Sequence, residues 1–224
     1  ENRSEIELVE QQTGFRNVVY MDKIGLTSPN LILAHCVWLN DEEKQIIRDR
    51  GVKVTHCPGS NLKLASGVAD IPDMLDKQLT VALGADGAPC NNNLNMFNEM
   101  RLAATIHKPE YGPLAMNARS VFRMATIGGA EVMGLDNEIG SLEVGKKADL
   151  AILNLNEFHV NPYYGVDTIS RIVYSARGPE VETTIIDGKI VMEDRKMKTI
   201  DKEIVLREAN RSIKRLLKRL PGVS

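Results

Sequence analysis

The chain has 224 residues, 43% hydrophobic and 26% charged, with a net charge of -2 at neutral pH. This globular composition and near-balanced charge give no general attraction to nucleic acid or a membrane surface, and no apolar run approaches the roughly 20 residues that span a bilayer. Cys36, Cys57 and Cys90 are odd in number and lack CxxC spacing, so they form no disulfide framework and fit reduced thiols in a cytoplasmic protein.

Helical spacing runs through residues 2–25 (Ile6, Val9, then Val19, Met21, Ile24), broken near Gly14. A short apolar strand follows at 31–35 and ends on His35. Asp41, Glu42 and Glu43 open a helix with acids where its dipole favours them, and Gly51 closes it. A second strand at 52–56 ends on His56, and a long loop is expected over 57–67. A short helix at 71–77 leads to a third strand at 80–86 that ends on Asp86. Leu94, Phe97, Met100 and Ala104 then recur at helical spacing. Strands alternating with helices and returning in one sense predict a parallel sheet with right-handed crossovers. Three such units do not close a barrel, which takes eight units and about 250 residues.

Residues 113–135 are again helical, and the pattern changes after Gly140. Strands are expected at 147–155, 171–176, 181–186 and 189–192, the last two joined by Asp187-Gly188, a strong hairpin signal. These predict a small antiparallel β-sandwich. A closing helix at 202–220 has apolar Ile204, Ile213, Leu216, Leu217 and Leu220, with a basic opposite face.

Asp86 and His35 stand out because each ends an apolar strand, where a parallel α/β fold builds its catalytic rim. Asp86 reads as a metal ligand and proton acceptor, or alternatively as a turn residue before Gly87. An imidazole at His35 suits polarising water or holding substrate. His56 reads as structural, and His107 and His159 as surface residues. The four histidines form neither HxH nor HExxH, so no zinc site of ordinary local spacing is present. Pro89-Cys90 lacks the rest of the HxE…PCxxC deaminase signature, and there is neither a P-loop nor a GxGxxG.

The runs at 31–39 (LILAHCVWL), 56–67 (HCPGSNLKLASG) and 84–101 (GADGAPCNNNLNMFNEMR) together resemble the amidohydrolase superfamily. The likeness is strongest to 5-methylthioadenosine/S-adenosylhomocysteine deaminases and their chlorohydrolase relatives. The run at 139–155 (IGSLEVGKKADLAILNL) is similar to the stretch where such enzymes pass from barrel to sandwich. The resemblance implies an α/β fold comprising strands six to eight of a (β/α)8 TIM barrel, part of a β-sandwich and a C-terminal helix. It divides the chain into a barrel portion (1–138), a sandwich portion (139–200) and the helix (201–224).

It further implies a hydrolytic deaminase of a purine nucleoside with one Zn2+, or Fe2+, per site. Asp86 matches the metal ligand of the eighth strand. His35 matches the histidine of the sixth strand that contacts the attacking water or the substrate. Glu1 matches the glutamate of the fifth-strand His-x-x-Glu, which protonates a ring nitrogen. Glu1, His35 and Asp86 are thus the implied catalytic and substrate-binding residues, with Asp86 the metal ligand. The implied partners are a small-molecule substrate, a further copy of the chain in a homo-oligomer, and the N-terminal half of the barrel with the other metal ligands; neither nucleic acid nor membrane is expected. The non-Met start agrees with an upstream half that this chain lacks, and the isolated chain is expected to be inactive. Guanine deaminase, a triazine chlorohydrolase and a non-catalytic fragment are the alternatives.

Overall fold

The computed structural model describes residues 1–219. They divide into two compact units: residues 1–146 with 155–179, and residues 147–154 with 180–219.

The first unit opens with α1 (Arg3–Thr13) and α2 (Asn17–Lys23), separated by Gly14 in the left-handed conformation that stops α1. Then come β1 (Ile32–Ala34), α3 (Asp41–Asp49), β2 (Lys53–His56), α4 (Pro58–Lys63), α5 (Ile71–Asp76) and β3 (Val81–Leu83). Helices α6 (Ala88–Asn91), α7 (Met96–Thr105), α8 (Lys108–Tyr111), α9 (Ala118–Ala125) and α10 (Ile127–Met133) complete the run. As the strand–helix alternation predicts, the sheet is parallel in the order β1-β2-β3, with Ala34 opposite Thr55 and His56 opposite Leu83. Among the described residues, β1 and β3 each have one strand neighbour.

The expected loop over 57–67 holds α4, which Pro58 opens from its first position, where a missing N–H costs nothing. The acids that open α3 do more than offset a dipole. Asn40 and Glu43 form a reciprocal capping box, and the buried Glu43 carboxylate also takes the Val18 N–H at 3.1 Å and Arg16 Nε at 2.9 Å. One glutamate therefore serves the N-terminal turns of both α2 and α3.

Strand alternation decides the core. Val54 and His56 lie buried on one face of β2, while Lys53 and Thr55 on the other are only half-buried. Ile47, Val54, Ile71, Val121 and Val173 are fully enclosed, and each such side chain contributes about 1.5–3 kcal/mol.

Val173 lies on α11 (Thr168–Tyr174), where a strand was expected at 171–176. The β-branched run misleads locally. Asp167 caps the helix by accepting from Ser170 N–H, and Ile169, Ile172 and Val173 meet the core at helical spacing. Packing overrides propensity here. The segments 139–146 and 155–179 consequently fall with the first unit, not with the C-terminal β structure as expected.

The second unit contains β4 (Leu150–Leu153), β5 (Val181–Ile186), β6 (Lys189–Glu193), β7 (Lys196–Met197) and α12 (Lys202–Leu217). Its strands form one antiparallel sheet in chain order, so among the described residues a single sheet stands where a sandwich was expected. The Asp187-Gly188 hairpin forms as read, with both residues at positive φ (48° and 74°) as a type I′ turn requires. No residue of α12 is buried, and Leu220, expected on this helix, lies outside the described residues. No described helix is long and apolar enough to cross a membrane.

Candidate active site

β1 ends one residue before His35, and β3 three residues before Asp86, so both side chains sit just past strand ends. His35 still extends the ladder, donating its N–H to Thr55 O at 2.9 Å. The chain then turns sharply: His35, Cys36 and Asp86 all occupy the left-handed region (φ 67°, 50° and 62°). Residues with a Cβ adopt it at a cost, and such strain gathers at functional sites where the surroundings enforce it.

These turns bring together residues from three distant segments. His35 Nε2 lies 3.6 Å from Glu1 Oε2 and 3.9 Å from Asp86 Oδ2, and all three side chains are partly open to solvent. Each has a second contact that orients it. Ser66 Oγ donates to Glu1 Oε1 at 2.5 Å, and Trp38 Nε1 donates to Ser66 O at 2.9 Å. Asn61 Oδ1 lies 2.8 Å from His35 Nδ1. Asp86 Oδ2 accepts from Ser60 Oγ at 2.5 Å, and Asp86 Oδ1 from Gly87 N–H at 2.6 Å. Those two donors, Ser60 first, hold the Asp86 carboxyl below the usual carboxylate range, so it is ionised at neutral pH.

Ser60 and Asn61 share α4, so one short helix contacts both His35 and Asp86. Beneath it lies Glu99, fully buried, which accepts from Gly59 N–H at 2.8 Å and from Asn91 Nδ2 at 2.9 Å. Asn91 Nδ2 also donates to Ala85 O, at 2.6 Å, next to Asp86. Gly59 must be glycine here, since a Cβ would stand 2.5 Å from Glu99 Oε1. Glu99→Gln puts an amide N–H against one of these donors. It is expected to lower unfolding free energy by about 2 kcal/mol, measured by urea titration of the chain; an unchanged midpoint refutes this bridge.

The structure assigns the remaining histidines and thiols elsewhere. His56 is fully buried on the face of Val54, its ring 6.0 Å from that of His107. His107, expected at the surface, is buried as well, because the turn between α7 and α8 folds it over β2. His159 is exposed, as expected. Burial first, then neighbouring charge, pushes the Cys36 and Cys57 thiols up to about 12. Cys90, beside Asp86, is raised too, chiefly by burial. All three therefore remain thiols at neutral pH and poor nucleophiles.

The sequence matches the amidohydrolase family over residues 1–191. The chain belongs to the amidohydrolase family. Among curated relatives it is 46% identical over 198 residues to the 5'-deoxyadenosine deaminase of Methanobrevibacter smithii, covering 88% of this chain and 45% of that protein. It is 48% identical over 197 residues to the 5-methylthioadenosine/S-adenosylhomocysteine deaminase of Acetivibrio thermocellus, with the same coverage of 88% and 45%. A solved structure of an adenosine deaminase from Xanthomonas campestris with bound zinc superposes with a TM-score of 0.92 at 35% identity, over 96% of this chain and 49% of that one. The amidohydrolase chain thus spans about half the length of the curated relatives it matches.

A catalytic zinc takes three protein ligands and an open position. Among the described residues no three histidine, cysteine, aspartate or glutamate side chains converge in that way. Asp86, ionised and at the rim, fits one ligand; this amidohydrolase chain does not complete the set. Ser60, Asn61, Ser66 and Glu99 carried no assigned role in the sequence. Ser60, Asn61 and Ser66 fall in the stretch expected as a loop and Glu99 in a helical run, and none of them gives a signal of its own.

Proposed function

We propose that this chain supplies the Glu1, His35 and Asp86 portion of a zinc-dependent deaminase acting on an adenosine-type nucleoside, such as 5-methylthioadenosine, S-adenosylhomocysteine or 5'-deoxyadenosine. The observation that carries this reading is the convergence of two carboxylates on one imidazole nitrogen, within 3.6 and 3.9 Å, from segments far apart in the chain. The names of the relatives favour it over a guanine or triazine substrate.

Asp86 would hold the metal and, being ionised, accept a proton from the attacking water. A bound zinc would supply the lowered water pKa that makes this feasible near neutral pH. Glu1, oriented by Ser66, delivers a proton to a purine ring nitrogen, which makes the adjacent carbon electrophilic. His35 Nε2 lies between the two carboxylates, where it holds the oxygen of the water and then that of the tetrahedral adduct. The proton on Asp86 passes to the exocyclic amine, the C–N bond breaks and ammonia leaves, while the second proton of the water, released as the ring carbonyl forms, returns to Glu1. Water and the nucleoside amine are thereby converted into a ring carbonyl and ammonia.

The test is ammonia release from a panel of adenosine nucleosides, guanine and a chlorotriazine. It is run on the chain alone and on the chain joined to the half-barrel that carries the remaining ligands. The joined protein is expected to deaminate the nucleosides, and the chain alone to release no ammonia. In the joined protein, His35→Gln is expected to lower turnover by about 100-fold or more while zinc content stays unchanged. Loss of zinc would instead put His35 among the ligands. Chloride release without ammonia would move the chain to the chlorohydrolases.

A further inference from the structure

We infer that Asn61 is a positioning residue that keeps the proton of the neutral His35 ring on Nδ1, so that the Nε2 lone pair faces the site. The inference rests on the proposed reading only in taking His35 as a working residue. Its physical basis is separate.

Asn61 Oδ1 stands 2.8 Å from His35 Nδ1, a hydrogen-bond distance at which the acceptor oxygen requires an N–H on the ring. The asparagine is held in place. It is 1% exposed, its N–H donates to Cys57 O at 3.0 Å, and its carbonyl accepts from Ser66 N–H at 2.9 Å. Its Nδ2 is buried without a hydrogen-bond partner among the described residues, so the bond to His35 is what orients the amide. His35 is fixed as well, by its left-handed turn and its N–H to Thr55 O.

Nε2 faces two carboxylates, Glu1 and Asp86, at distances too long for direct hydrogen bonds and suited to an intervening water or substrate atom. In water a neutral histidine favours the proton on Nε2. Asn61 reverses that preference and leaves the Nε2 lone pair facing the site.

The test is a long-range 1H–15N spectrum of the labelled 224-residue chain, recorded well above the ordinary histidine value of about 6.5. The His35 signals are assigned by their loss in His35→Gln. The expected pattern is a pyrrole-type nitrogen at Nδ1 and a pyridine-type nitrogen at Nε2. Asn61→Asp keeps an acceptor oxygen and is expected to keep that pattern. Asn61→Leu is expected to lose it, with the proton moving to Nε2 and the His159 signals unmoved. A wild-type ring protonated on Nε2 overturns the inference whether or not Asn61→Leu folds. So does a folded Asn61→Leu that retains the Nδ1 proton. Failure of ammonia release with the Nδ1 pattern intact would sink the deaminase reading and leave this one standing.

Discussion

Asp86→Asn, made in the proposed deaminase assembled with its remaining half-barrel, is expected to lower turnover by about 10²–10⁴-fold, the contribution typical of a positioned acid–base group. The amide matches the carboxylate in size, so the rim should keep its shape. What it loses is the negative charge and the capacity to take a proton. Ser60 Oγ and Gly87 N–H both donate to Asp86, and both favour an ionised acceptor. The asparagine presents one oxygen and one NH2 to these two donors, so one donor is left facing an N–H. Zinc content is expected to fall along with turnover, because a neutral amide is a weaker ligand for the ion than a carboxylate. Turnover and metal analysis on the same preparation check both expectations. Retained activity with a full complement of zinc would remove Asp86 from the mechanism.

The second large effect is on stability and needs no metal or partner. Burial, then repulsion from His107, depresses the His56 pKa from about 6.5 to about 3. Burial also lowers the value for His107. Above about pH 6.5 both rings are neutral whether the chain is folded or not, and their enclosure carries no protonation cost. As the pH falls below that value, the unfolded chain takes up protons that the folded one refuses. Stability then drops by about 1.4 kcal/mol per pH unit for each such histidine, and continues to drop for His56 until about pH 3. Unfolding free energies from urea titrations between neutral pH and about 4.5 should show this slope. His56→Gln should flatten it, whereas His159→Gln, at an exposed position, should not. A wild-type profile flat across that range would mean that His56 is hydrated or paired in solution.

The two histidines that end strands illustrate the limit of reading the chain alone. His35 and His56 each close a short apolar run, and the reading of the first as a working residue and the second as structural has only a slender basis in the local pattern. The structure supplies the physical reason: the chain turns into the left-handed region at His35 and presents the ring to the rim, while His56, still on β2, shares the buried face of Val54. His107 was misplaced for a related reason. Flanked by Lys108 and Pro109 it has the neighbours of a surface residue, and only the packing of the turn over β2 encloses it. The segment at 168–174 failed differently. Its β-branched residues suit a strand, but an Asp167 cap and a core that accepts Ile169, Ile172 and Val173 on one side make it a helix.

The strand–helix alternation, the Asp187-Gly188 hairpin and the polar ends of apolar strands were all readable from the chain, since each follows from the steric and hydrogen-bonding preferences of residues close together. The contacts that orient the site were not. Ser60 meets Asp86 and Asn61 meets His35 across 26 residues, Gly59 meets Glu99 across 40, and Ser66 meets Glu1 across 65. No periodicity encodes pairings of that span. They exist because parallel strands, once packed, deliver the starts of successive loops to one edge of the sheet, where side chains without partners in their own segment find them in the next.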